Sequence, residues 1–167
     1  LPRSVGHRDR SAALVRLGSL MSYSDFASAG PLAFALGLDV TGEPTFANIE
    51  KMPHLLIAGA TGSGKSVTIH GLIISLLFKN SPNRLKMVMI DPKRVELSVY
   101  EGIPHLVSPV VTENKKAVGV FRWALSEMDR RYGLLQKAGS RDIKSYNAKN
   151  PDDQLPYLML IVDEVAD

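Results

Sequence analysis

Gly59-Ala60-Thr61-Gly62-Ser63-Gly64-Lys65-Ser66 fills the pattern GxxxxGKS/T, and its reading decides how the rest of the chain is read. The glycines let the backbone curl tightly enough to aim several N–H groups at phosphate oxygens, at the positive end of the helix that follows. Lys65 is placed to reach the outer phosphates of a nucleoside triphosphate, and the Ser66 hydroxyl to ligate magnesium. The candidate nucleotide-binding residues are therefore Gly59, Ala60, Thr61, Gly62, Ser63, Gly64, Lys65, Ser66 and the adjoining Val67.

The flanks support this reading. His54-Leu55-Leu56-Ile57-Ala58 is a short apolar run that predicts a buried, central parallel strand ahead of the loop. Behind the loop, Val67, Ile69, Leu72, Ile73, Leu76 and Leu77 recur at helical spacing until Asn80-Ser81-Pro82 stops the helix. A carboxylate to hold the metal comes from Tyr157-Leu158-Met159-Leu160-Ile161-Val162-Asp163-Glu164, an apolar run closing on two acids. Asp163 joins Ser66 as a metal-holding residue. Glu164, one residue further, is the candidate to polarise the attacking water. Lys65 and Glu164 are thus the candidate catalytic pair, with ATP and Mg2+ the implied ligands.

A chain of 167 residues with 45% hydrophobic content can bury one sizeable core, so one main domain is expected. Zero cysteine excludes disulfides and thiolate metal sites. No apolar run approaches the roughly 20 residues that span a bilayer. Net charge of +3 suits a nucleic-acid partner without requiring one. Arg3, His7, Arg8, Arg10 and Arg16 concentrate at the start, which reads as a partly flexible lead-in over residues 1–30. The chain opens on Leu1 and stops three residues past Glu164, which gives the expectation of a fragment incomplete at its C-terminus.

Along the chain, Leu32 to Gly37 and Thr45 to Ile49, joined by the turn Gly42-Glu43-Pro44, predict a small hairpin. Leu85 to Asp91 predicts a second buried strand, ended by Pro92. A long helix is expected from a Thr112 cap to Gly139. Its stripe Val118, Phe121, Leu125, Met128, Tyr132 and Leu135 reads as core packing against the sheet, with Trp123 off the stripe. Alternating strands and helices then give an α/β fold with a mainly parallel sheet flanked by helices, the ligand at the carboxyl ends of the strands.

With these residues in place, the chain resembles the motor domain of the FtsK/SpoIIIE double-stranded DNA translocases over residues 31–167. The matching segments, beyond the phosphate loop, are Met52 to Leu56, Asp91-Pro92-Lys93 with Glu96, Leu97 and Tyr100, and Gly102 to Leu106. Further matches are Glu127-Met128, Arg131-Tyr132, Arg141, Tyr146-Asn147 and Val162 to Asp167. At Gly37-Leu38-Asp39 the chain departs slightly from the family pattern. The resemblance implies a RecA-like P-loop NTPase core that forms a homo-hexameric ring around double-stranded DNA and hydrolyses ATP to move along it in chromosome segregation, at division or sporulation. It also implies a cytoplasmic domain whose parent is tethered to the bacterial inner membrane through a region outside this chain. The alternative is a related ATPase of a protein secretion system. Lys93 and Arg94 stand either as phosphate or neighbouring-subunit contacts or as surface charges paired with Glu96 or Glu101; Arg131 stands as an arginine finger or as an ordinary helix residue. His54 and His105 read as structural.

Overall fold

The computed structural model describes residues 14–60 and 62–164, and its chain divides into two compact units, Leu1–Lys79 and Asn80–Asp167. The basic residues Arg3, His7, Arg8 and Arg10, together with Thr61 and residues 165–167, lie outside the described residues.

In the first unit, two short helices α1 (Leu17–Met21) and α2 (Ser24–Ser28) precede an antiparallel hairpin of β1 (Ala33–Leu38) and β2 (Pro44–Asn48). The lead-in is thus structured from Leu17 to Ser28, and it contributes Leu20 and Phe26 to the core, 5% and 1% exposed. The predicted hairpin is present. Its turn is built by Asp39, whose carboxylate accepts from the Thr41 and Glu43 amides and from the Thr41 hydroxyl. The loop helix, α3 (Lys65–Lys79), lies against β1. Small residues on that side of α3 allow the approach: an added Cβ at Gly71 would stand 4.0 Å from the Ala35 carbonyl oxygen, and the buried Ser75 hydroxyl accepts from the Ala35 amide at 3.3 Å. At its far end Lys79 donates to the Phe26 carbonyl and lies 4.3 Å over the Phe26 ring. The hairpin and α2 thereby fix the helix whose first turn carries Lys65 and Ser66.

Ile69, Leu72, Ile73 and Leu76 of the predicted stripe are buried, whereas Val67 is 74% exposed. The predicted strand at His54–Ala58 is not formed: this run has no ladder pairing among the described residues, and Leu55 and Leu56 are exposed. An apolar run marks a segment that can be buried; a strand also requires a neighbour to hydrogen-bond.

In the second unit, β3 (Leu85–Ile90) and β4 (Tyr157–Val162) pair in parallel, Leu85 opposite Tyr157 through Ile90 opposite Val162. The other edge of β3 bridges to Leu106 and Val111, through Val107 N–H to the Met87 carbonyl and Asp91 N–H to the Val111 carbonyl. With partners on both edges, β3 is central here, which matches its nearly continuous burial. The two strands are joined through α4 (Asn114–Lys137) and α5 (Ile143–Lys149). Asn147 clamps the approach to β4, its side chain donating to the Leu155 carbonyl and accepting from the Leu155 amide.

The long helix corrects two expectations. Its cap residue is Glu113, not Thr112, and no side chain caps its first turn; its end comes as expected, with Ala138 as C-cap and Gly139 at φ 58°. More substantially, no residue of α4 is buried, and Val118, Phe121, Leu125, Met128 and Tyr132 are all exposed. The groove that α4 forms with Tyr157 and Leu158 of β4 is lined by Ala124, Glu127 and Arg131 together with Met128, Tyr132 and Leu135, so only the C-terminal half of the stripe faces it. Trp123, off the stripe, is 40% exposed.

Candidate functional site

The phosphate loop has the backbone that its glycines permit. Gly62 and Gly64 hold φ of 79° and 94°, in the left-handed region that side-chain-bearing residues avoid. A Cβ added at Gly59 would fall 2.1 Å from the Ser63 hydroxyl oxygen and 3.0 Å from its Cβ, so any side chain here has to displace Ser63. Ser63 N–H donates to the Ala60 carbonyl, and the helix begins at Lys65, so Lys65 and Ser66 occupy its first turn, both half-buried. The first amides of a 15-residue helix have no helical acceptor, and they sit behind a loop of exposed Gly59, Ala60, Gly62 and Ser63. These residues fit a triphosphate: a curled loop, a helix N-terminus and a lysine. Thr61 belongs to the sequence pattern and lies outside the described residues.

In the second unit, the two candidate acids stand at the carboxyl ends of the strands. Asp163 follows β4, is 4% exposed, and its N–H donates to the Ile90 carbonyl at 3.0 Å. A nearly buried carboxylate at a strand end is a suitable oxygen donor for a hard divalent cation. Glu164, the next residue, is half-buried and holds φ of 55°. That conformation costs an L-residue about 1–2 kcal/mol. Its carboxylate meets Lys93, Oε2 to Nζ at 3.6 Å, with side-chain exposures of 34% and 49%. Such an exposed pair contributes about 0–1 kcal/mol, so the two small contributions roughly offset each other.

Lys93 faces Glu164, while the Glu101 carboxylate accepts from the Val110 amide and the Glu96 amide donates to Asp91. Asp91 is fully buried, and its Oδ2 accepts from the Glu96 and Leu97 amides at 3.1 and 2.9 Å. Sequence reading missed Asp91 as the anchor of this turn, although an acid followed by proline at a strand end signals a chain reversal. Asp91→Ala is expected to leave both amides without their acceptor and lower stability by about 2–4 kcal/mol. An urea midpoint shifted at unchanged slope checks this, with Asp91→Asn, which keeps an acceptor, expected to lose less.

Arg131 is tied into the fold. Its guanidinium donates to Glu127 at 2.7 Å and to the Pro156 carbonyl at 2.7 Å, which fixes α4 against the start of β4. Arg130 also grips Glu127, and these bonds hold that carboxyl down at about 2, Arg130 contributing most, against the opposing effect of burial. A depressed carboxyl stabilises the fold above its unfolded value near 4.5 and loses that contribution as pH falls toward 2. Glu127→Gln is accordingly expected to flatten the stability decline measured by urea unfolding between pH 5 and 2.5. His105 is buried with Nε2 2.8 Å from the Asn80 carbonyl, a structural role as expected, while His54 is exposed. Among the described residues no group of three or more His, Asp or Glu is arranged to hold a metal. Nor is any helix long and apolar enough to cross a membrane.

Comparison with known proteins agrees with the motifs. The FtsK/SpoIIIE family profile matches residues 20–167. The chain is 57% identical over 136 residues to the DNA translocase FtsK of Caldanaerobacter subterraneus subsp. tengcongensis, covering 81% of this chain and 19% of that protein. It is 48% identical over 164 residues to the DNA translocase SftA of Bacillus subtilis strain 168, covering 95% and 17%. The chain thus spans about a fifth of the length of these relatives. Among solved structures it is similar to the pCW3 conjugation coupling protein TcpA with ATPgS, at a TM-score of 0.70 and 28% identity over 86% of this chain and 39% of that one. It is also similar to the cytoplasmic domain of the type VII secretion ATPase EccC of Thermomonospora curvata, at 0.72 and 26% over 91% and 21%. These likenesses make the architecture mixed α/β, a small antiparallel hairpin followed by parallel strands with helices. On the family profile and the identities together, the chain belongs to the FtsK/SpoIIIE family.

Proposed function

We propose that this chain is the nucleotide-binding part of an ATP-driven double-stranded DNA translocase that acts in chromosome segregation. The carrying observation is the glycine-shaped phosphate loop at the start of α3, in a chain 57% identical to a DNA translocase. Residues 31–167 form a RecA-like ATPase domain in this reading, behind the lead-in of residues 1–30. It works on the cytoplasmic side as a homo-hexameric ring around duplex DNA, tethered to the membrane through another region of the longer protein.

Bound ATP with Mg2+ supplies the transferable phosphoryl group and the charge neutralisation its transfer needs. The chain's own residues then divide the work. The amides of Gly59 to Ser66 and the dipole of α3 bind negative charge, Val67 following in the same turn, and the Lys65 ammonium adds a cation for the outer phosphates. Ser66 and Asp163 offer the hydroxyl and carboxylate oxygens for the metal. Glu164 orients a water and accepts its proton at the side-chain carboxylate. Phosphate contacts dominate the grip on DNA, since a motor must move irrespective of sequence.

The second reading, an ATPase of protein secretion, is favoured by the likeness to EccC. It ranks lower because that likeness comes at 26% identity, about half that to the DNA translocases. ATP hydrolysis by the full-length protein, with and without long duplex DNA and with Lys65→Ala as the blank, separates the two. Strong stimulation by duplex is expected; turnover indifferent to DNA favours secretion.

A further inference from the structure

The register of the parallel pair brings a cation beside the acid assigned as general base. Ile90 stands opposite Val162, and Asp163 N–H donates to the Ile90 carbonyl. The chain leaving β3 is then pinned by the buried Asp91, which accepts from the Glu96 and Leu97 amides and whose carbonyl accepts from the Arg94 amide. This turn carries Lys93 across the strand ends to Glu164, Nζ 3.6 Å from Oε2. The lysine arrives from a firmly anchored segment. The glutamate lies in the left-handed backbone region, at φ 55°, which an L-residue occupies at a cost.

An ion pair this exposed contributes little to folding. What it does bias is where the Glu164 carboxylate points. A carboxylate engaged by an ammonium is turned away from a water elsewhere, and a contact of this strength is easily exchanged. We infer that Lys93 is a positioning residue that holds the Glu164 carboxylate in a resting position at the ends of β3 and β4, and that turnover requires Glu164 to leave it. The inference rests on Glu164 being the general base. Lys93 thereby suppresses hydrolysis in the absence of DNA, and its removal accelerates the resting protein.

The test uses the full-length protein and Lys93→Ala, with Lys93→Met as a second variant that keeps the stem of the side chain. Hydrolysis without DNA is expected to rise about three- to fivefold, the bias that an exposed pair exerts. KM for ATP stays within twofold, and Lys93→Arg restores the low rate. In a Glu164→Gln background, affinity for a fluorescent ADP is the same with lysine or alanine at position 93. A DNA-free rate that is unchanged or lower in Lys93→Ala and Lys93→Met, or weakened binding of the fluorescent ADP, overturns the inference. Glu164→Gln alone reports on the underlying assignment: if it hydrolyses ATP at the wild-type rate, the general base is elsewhere, whatever Lys93 does.

Discussion

Replacing Lys65 with alanine is expected to reduce ATP hydrolysis by the full-length protein about 100- to 1,000-fold, the cost of removing one preorganised charge-stabilising group. Binding suffers as well. Lys65 opens α3 beside Gly62 and Gly64, whose left-handed backbones shape the loop, so the substitution removes the cation and leaves the amide cradle intact. Losing one charge-assisted contact weakens triphosphate affinity by about 10- to 100-fold. Titration with a fluorescent ATP analogue beside a coupled hydrolysis assay checks both numbers. Because Lys65 is half-buried in a first helical turn, alanine is also compatible with the helix, and the melting temperature is expected to stay close to that of the unmodified protein. Normal affinity and turnover in this variant would mean that the loop does not bind the phosphates.

Glu164→Gln is expected to separate the two steps that Lys65→Ala impairs together. Glutamine preserves size and hydrogen bonding but cannot accept a proton, so turnover falls by about 100- to 10,000-fold while nucleotide affinity persists. The variant also loses the charge that attracts Lys93. That pair is exposed, so stability changes by no more than about 1 kcal/mol. Turnover at the unmodified rate would remove Glu164 from the mechanism.

Local chemistry was legible in the sequence and long-range geometry was not. Glycine spacing located the loop and the start of α3, because each requirement is met within eight residues. The hairpin, β3 and β4 were likewise legible, since each is an apolar run bounded by turn-forming residues. The stripe on α4 shows the opposite case. Periodicity identified Val118, Phe121, Leu125, Met128 and Tyr132 as one apolar face, but not which element, if any, covers it. His54–Ala58 failed similarly, because a strand depends on a partner distant in sequence. Glu164 was legible as an acid closing a strand, whereas its meeting with Lys93 followed only from the register of β3 and β4. Arg131 remained open until its bonds to Glu127 and Pro156 assigned it to the fold.

The central claim is that nucleotide turnover at this loop drives movement along duplex DNA. Displacement of a fluorescent triplex-forming oligonucleotide from a long linear duplex tests it most directly, with the full-length protein and ATP in the reaction. The account predicts displacement that requires ATP hydrolysis, grows slower as the duplex run before the triplex lengthens, and is absent with Lys65→Ala or Glu164→Gln. Hydrolysis without displacement on any length of duplex, or displacement undiminished by those two substitutions, would contradict it.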